Sequence, residues 1–182
     1  MKSYLSLVLM VIISSFTYSA CSGEYDYEEV VKKELSSGER NNDLFLGYSF
    51  DMTQQEFFDH SWELNQQGVV TGDAQVRYKI PDLSSEATMT FYPSFKNGKI
   101  FRMPVQVSFD SWAIWNRDLY SDKLIEELLS HFEEKFGSGF FRNQYPHLNK
   151  EAWIKVDGNR QIIMYRHDDM KVRVEFLDLT AE

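Results

Sequence analysis

Beyond position 21 the chain has no cysteine, so no disulfide can staple the folded part and a packed core must hold it together. No apolar run reaches the ~20 residues that cross a bilayer as a helix. The apolar stretch of a dozen residues from 5 to 16 falls short, and Ser14, Ser15 and Thr17 interrupt it. Basic clusters are also missing. The formal net charge is −9, and no Lys/Arg stripe overrides it, which argues against nucleic-acid backbones as partners. His60, His131, His147 and His167 include no i, i+4 pair and have no second cysteine to help them, so a zinc site has no ligand set. Neither a Gly-x-Ser-x-Gly elbow nor a phosphate-cradling glycine loop is present. Gly137-Ser138-Gly139 follows a predicted helix, where a phosphate loop would precede one. The sequence therefore offers no catalytic signature and no cofactor site, and the chain reads as a non-enzyme.

What is present begins at the amino end. Lys2, the apolar stretch and the small residues Ser19-Ala20 before Cys21 form a secretory leader. The segment resembles a bacterial lipoprotein signal, with Ser19, Ala20 and Cys21 matching the lipobox and Tyr18 standing where an aliphatic residue is usual. The resemblance implies cleavage after residue 20, a diacylglycerol on the Cys21 thiol and fatty acylation of its amine. Several acyl chains together anchor a protein stably, which one does not. The expected location is the envelope of a Gram-negative-type bacterium, on either face of the outer membrane. The alternative is an ordinary leader cut nearby, with Cys21 a free thiol.

Residues 21–43 read as a lipidated cysteine followed by a flexible acidic tether, in which Val30, Val31 and Leu35 mark one or two helical turns at most. Residues 44–182 form the globular part, with fourteen Phe, ten Tyr and four Trp in the whole chain to fill its core. Residues 44–50 suggest a short strand. Thr53-x-x-Glu56 is a capping box, opening a helix to about Gln67 whose buried face holds Phe57, Phe58, Trp62 and Leu64. Strands follow at 75–80, 87–95 and 99–109, the last two joined by Asn97-Gly98, a pair suited to the positive φ angles of a type I′ turn. Pro104 points to an edge or a bulge. The order then recurs. Ser121 caps a second helix with a Leu124, Ile125, Leu128, Leu129, Phe132, Phe136 stripe, and strands at 152–156, 160–166 and 171–179 come after it. The fold class is α+β: two helix-strand-strand-strand units, 44–110 and 119–180, with an antiparallel meander sheet and the helices packed on one face.

The stretch from Gly47 to Phe57, centred on Asp51-Met52-Thr53-Gln54-Gln55-Glu56, followed by a three-stranded meander, resembles the small lipoprotein of the outer-membrane barrel-assembly machine. The duplicated layout is also similar to the β-lactamase-inhibitor-protein architecture. Both resemblances imply a protein-binding module without catalytic residues, with an envelope protein as partner and the membrane as support.

The segment joining the two units is aromatic where linkers are usually polar. Trp112, Trp115, Arg117 and Tyr120 make it the candidate binding surface, for a protein or, alternatively, for an envelope carbohydrate bound or processed with nearby acids. The competing view is a structural plug with both indoles buried. We favour the plug, because long loops crossing a core often pack by their own side chains. Glu126, Glu127, Glu133 and Glu134 read as a solvated helix face, Asp59-His60 as helix surface, and His167-Asp168-Asp169 as a hairpin turn.

Overall fold

A computed structural model of the chain describes residues 26–72, 74–145 and 150–181. The leader and Cys21 lie outside the described residues. Helices α1 (Tyr27–Ser37), α2 (Gln54–Gln66) and α3 (Ser121–Phe136) surround one sheet. Its strands are β1 (Val70–Gly72), β2 (Val76–Ile80), β3 (Ala87–Phe91), β4 (Ser94–Lys96), β5 (Lys99–Phe109), β6 (Phe141–Tyr145), β7 (Lys150–Asp157), β8 (Arg160–Arg166) and β9 (Lys171–Asp178). The order across the nine-stranded sheet is β1-β2-β3-β5-β9-β8-β7-β6, with β4 also pairing β5. Each expected unit is a helix followed by a meander, and each gains a short strand the sequence did not announce, β1 on one edge and β6 on the other. The last strands of the two meanders pair antiparallel, Val105 opposite Val174 and Met103 opposite Phe176, so the units share one continuous sheet.

The α2 and α3 helices lie on the same face, as expected. Thr53 and Glu56 form the reciprocal capping box. The core beneath is aromatic. Phe176 of β9 meets Phe45 at 5.4 Å between ring centres, Phe136 at 5.5 Å and Phe132 at 6.0 Å, while Phe45 continues to Phe91 at 4.8 Å. Tyr48 then links Phe91 to Phe57 of α2. Edge-to-face pairs at these spacings add to the area term.

Several expectations are corrected. Residues 44–50 form a turn rather than a strand, with Leu46 and Gly47 at positive φ and only an isolated bridge from Asp43 to Ser49. His60 leaves the helix surface to bond the Leu46 carbonyl at 2.7 Å, fixing that turn. The strand expected at 87–95 is broken after Phe91, where Pro93 has no amide to donate. Pro104 sits in a central strand, but Met103 and Pro104 fall between the β3 and β4 ladders, so the missing N–H meets the interruption. The register shift there also turns Ile100 inward in place of Phe101. On α2, Phe57 is 1% exposed while Phe58 and Trp62 are 45% and 66% exposed. Ser121 does not cap α3. It is the helix's first residue, its N–H bonded to the Asp169 carbonyl at 2.8 Å.

The largest departure concerns the expected tether. Residues 27–37 form a helix of about three turns, capped by Asp26 and ended by Gly38. It packs on the opposite face of the sheet. Tyr27, Val30 and Val31 lie on Phe141, Ile154, Ile163 and Tyr165, and the Tyr27 hydroxyl donates to Gln161 at 2.7 Å. The chain then crosses the β7–β8 turn. Buried Asn159 accepts from the Asn41 N–H at 2.7 Å and donates to Asn42 and Asp178 at 3.0 Å each. Gly158, at φ +60, lies so close that a Cβ would stand 2.4 Å from the Glu39 carbonyl oxygen. The Arg160 guanidinium is paired to both Asp157 oxygens at 3.0 and 2.7 Å, covers Phe136 and donates to the Asp43 carbonyl. Valine pairs too small to make a free helix become adequate once a sheet supplies the other half of the contact.

Two outcomes test this arrangement. Phe176→Ala, at the meeting point of both units, lowers unfolding stability by about 3–5 kcal/mol, measurable by urea titration. Burial pushes the Asp178 carboxyl up, but bonds from the Thr180 hydroxyl, the Asn159 amide and the Thr180 N–H outweigh it, so the group sits below the usual carboxylate range. The folded state therefore binds this proton less readily than the unfolded chain. The contribution is present above about pH 4 and is lost as the pH falls through the native value. Asp178→Asn flattens that acid limb of a stability-against-pH curve.

Candidate functional site

The segment from the end of β5 to the start of α3 is built as a rigid platform. Phe109 ends the strand in the core, and the next N–H, of Asp110, donates to the Glu86 carbonyl at 2.9 Å. The Asp110 carboxylate accepts from Lys79 and from the Thr88 hydroxyl. Burial raises this carboxyl, and the Lys79 and Thr88 bonds more than reverse that, leaving it below its ordinary value. The turn is thus held ionised and tied to β2 and β3 at neutral pH.

Trp112 comes next and is half-buried against the main core, its ring 5.7 Å from that of Tyr120. Its indole N–H is buried with no partner among the described residues. Tyr120 is 4% exposed, and its hydroxyl donates to the Ile114 carbonyl at 2.8 Å. The Arg117 guanidinium lies 4.4 Å over the same ring. Asn116 donates its N–H to Ala113 at 2.9 Å and accepts from Asp118 through its side chain, starting the short 3-10 turn Arg117–Leu119. Ser121 closes the far side. Fully buried, it accepts from Arg166 Nε at 3.0 Å and donates its hydroxyl to the Asp168 carbonyl, locking α3 to the β8–β9 turn.

At the crown of this bonded loop stand Ile114, 69% exposed, and Trp115, 85% exposed. The four expected site residues are therefore brought together in two tiers. Trp112, Arg117 and Tyr120 form the support, and Trp115 with Ile114 is what the support presents. The expected plug with both indoles buried is not what forms: Trp112 is partly buried and Trp115 is exposed, so the indoles make no joint two-ring platform. Ile114 escaped the sequence reading, which weighed only aromatic and charged side chains in this segment. Arg117 and Asp118 stand exposed on the loop, Asp122 follows in the first turn of α3, and Asp169 of the adjoining turn is paired with Arg166 at 3.6 Å.

The remaining chemical candidates are placed elsewhere. The Asp168 carboxylate accepts from the Met170 and Lys171 amides at 2.9 and 2.8 Å, the work of a turn residue. Glu127 receives the Ser84 N–H and hydroxyl at 2.8 and 2.6 Å, fixing the β2–β3 connection on α3. His131 is partly buried, which holds its imidazole below the usual value, and neighbouring Lys135 adds to the effect. Among the described residues, no group of three or more His, Asp or Glu side chains is arranged to hold a metal. No helix among them is long and apolar enough to cross a membrane.

No protein family, curated protein or solved structure matches the chain.

The two tiers separate in stability. Trp112→Ala removes half-buried packing and lowers stability by about 2 kcal/mol or more. Trp115→Ala changes it by no more than about 0.5 kcal/mol. Paired thermal melts of the two variants check this.

Proposed function

We propose that the chain is a non-catalytic, lipid-anchored envelope module that binds another protein through the crown of the junction loop. The observation that carries this reading is Trp115, 85% exposed at the tip of a hydrogen-bonded loop. With Ile114 beside it, the ring makes a contiguous exposed apolar patch, the kind of surface that marks interaction sites. Trp is the residue most often found at interface hot spots, because one rigid side chain buries much area for little conformational entropy. The support makes the geometry ready-made, so docking orders little of the loop.

The anchor belongs to the same proposal. Acylated Cys21 would keep the module at the membrane, and the short stretch between Cys21 and α1 would hold it close to the surface. Mass spectrometry of native material carrying acyl chains on residue 21 supports this part, and an intact leader overturns it.

Full-length protein is cross-linked in native envelopes and the captured partner compared with that of Trp115→Ala. Truncating a hot spot typically costs 2 kcal/mol or more, about 30-fold in affinity. The partner is expected in the wild-type capture and at background level in the variant. Equal capture by the two forms, or retention of an envelope polysaccharide in place of protein, overturns the reading.

A further inference from the structure

A second apolar site lies on the first unit, away from the junction loop. Between α2 and the β1–β2 edge is an open groove of about 470 Å³ lined by Phe58, Trp62, Val70, Val76 and Tyr92. Val70 is 2% exposed and forms its floor, whereas Phe58 and Trp62 stand open on its wall. The wall is packed and firm: Tyr92 meets Phe57 at 5.7 Å and Phe58 at 6.5 Å between ring centres.

The second unit shows what such a space holds when it is filled. There the strand next to the edge is β7, and on the core face it places Trp153 opposite Met164, packed on the core with the Arg142 guanidinium 4.7 Å over the ring. In the first unit the strand next to the edge is β2, which offers Val76 and Tyr78 toward α2. One unit thus fills the space under its helix edge with its own indole and a cation, and the other leaves it empty.

Charge narrows the occupant further. The α2 helix carries Glu56, Asp59 and Glu63 and no Lys or Arg. Asp59 borders the groove, one of its oxygens taken by Gln55 at 2.9 Å. We propose that this groove receives an aromatic side chain flanked by basic residues, supplied by a partner polypeptide. β1 is the terminal strand of the sheet, so an extended segment has room to lie beside it. A basic neighbour then reaches Asp59 at the groove's edge, or covers the ring as Arg142 covers Trp153, without burial of an unpaired charge.

The test uses the peptide acetyl-Lys-Trp-Lys-amide, titrated into the isotope-labelled mature chain and followed by heteronuclear NMR. The Trp62 indole signal and the Val70 and Val76 amides are expected to shift saturably. The acid-flanked peptide acetyl-Glu-Trp-Glu-amide is expected to bind at least about tenfold more weakly, and Asp59→Lys to erase that preference. Asp59 is exposed, so this variant keeps the fold. Val76→Trp, which copies the second unit, is expected to close the groove and abolish the shifts. Trp115→Ala leaves them unchanged, which separates this site from the junction loop. Equal binding of the two peptides, indifference to Asp59→Lys, or shifts produced by cellobiose and by neither peptide would each overturn the proposal.

Discussion

Pairing of β5 with β9 is the constraint on which the rest of the molecule depends. Its ladder runs from Arg102 opposite Leu177 to Ser108 opposite Lys171, joining strands far apart in the chain. On the core side it stacks Met103, Val105 and Val107 beside Phe176, Val174 and Val172, all with no measurable exposure. On the other side Arg102 reaches Glu175 at 2.7 Å and Pro104 faces Glu175 across the ladder. Closing so long a loop is entropically costly, but the cost grows only slowly with length, while every paired residue adds burial. Without this seam each unit would be a meander with a bare edge, and the aromatic chain from Phe57 through Phe91 to Phe132 would lose Phe45's contact with Phe176.

The seam also explains why the junction loop is held in place. The junction loop starts where β5 ends and finishes where α3 begins, and α3 is bound to the turn leading into β9 by Ser121. Both ends of the loop are therefore tied to the two seam strands. A segment between two units could have been a hinge. Here it has the geometry of a cap, with Tyr120 and Trp112 packed below, so that Ile114 and Trp115 have little freedom beyond their own rotamers. Exposed apolar side chains on such a frame lose little entropy on binding.

Much of the fold was legible because local chemistry and tertiary contacts agree. Alternation in β5 and β9, the Leu/Phe stripe of α3, the Thr53 box and the Asn97-Gly98 turn each specify their element within a few residues, and the turn residues have φ of 51 and 78. The misses have one cause: information held elsewhere in the chain. The weak stripe of α1 makes sense only with Ile154 and Ile163 beneath it. Edge strand β6 alternates polar residues, Arg142 and Gln144, that carry no apolar signal. On α2, Phe57 and Phe58 are adjacent, about 100° apart around a helix, so both could not face the core. Trp62 is one turn on from Phe58, and that pair defines a separate outward stripe. This spacing was the available sign of the groove. For the junction loop, composition marked the segment, but only the Tyr120–Ile114 bond decides which indole goes in and which stays out.

The two faces of the sheet differ in what they leave exposed. Over the second unit the far face is apolar and α1 covers it. Over the first unit it presents Arg77, Lys79, Thr88, Thr90 and Gln106, with Lys171 and Arg173 beside them, and no helix among the described residues lies above. Lys79 is engaged by Asp110 and Glu86, the Thr88 hydroxyl donates to Asp110, and Thr90 and Gln106 are part-exposed polar side chains. Docking on this face would remove hydration from many polar groups for little apolar gain. The most exposed of the large apolar side chains, Trp115, Ile114, Trp62 and Phe58, stand instead at the loop between the units and at the β1 edge. A sheet whose flat side is polar and whose rim is aromatic gains most from partners that approach the rim, so the same β5–β9 seam that makes the sheet continuous also puts both proposed sites on its periphery.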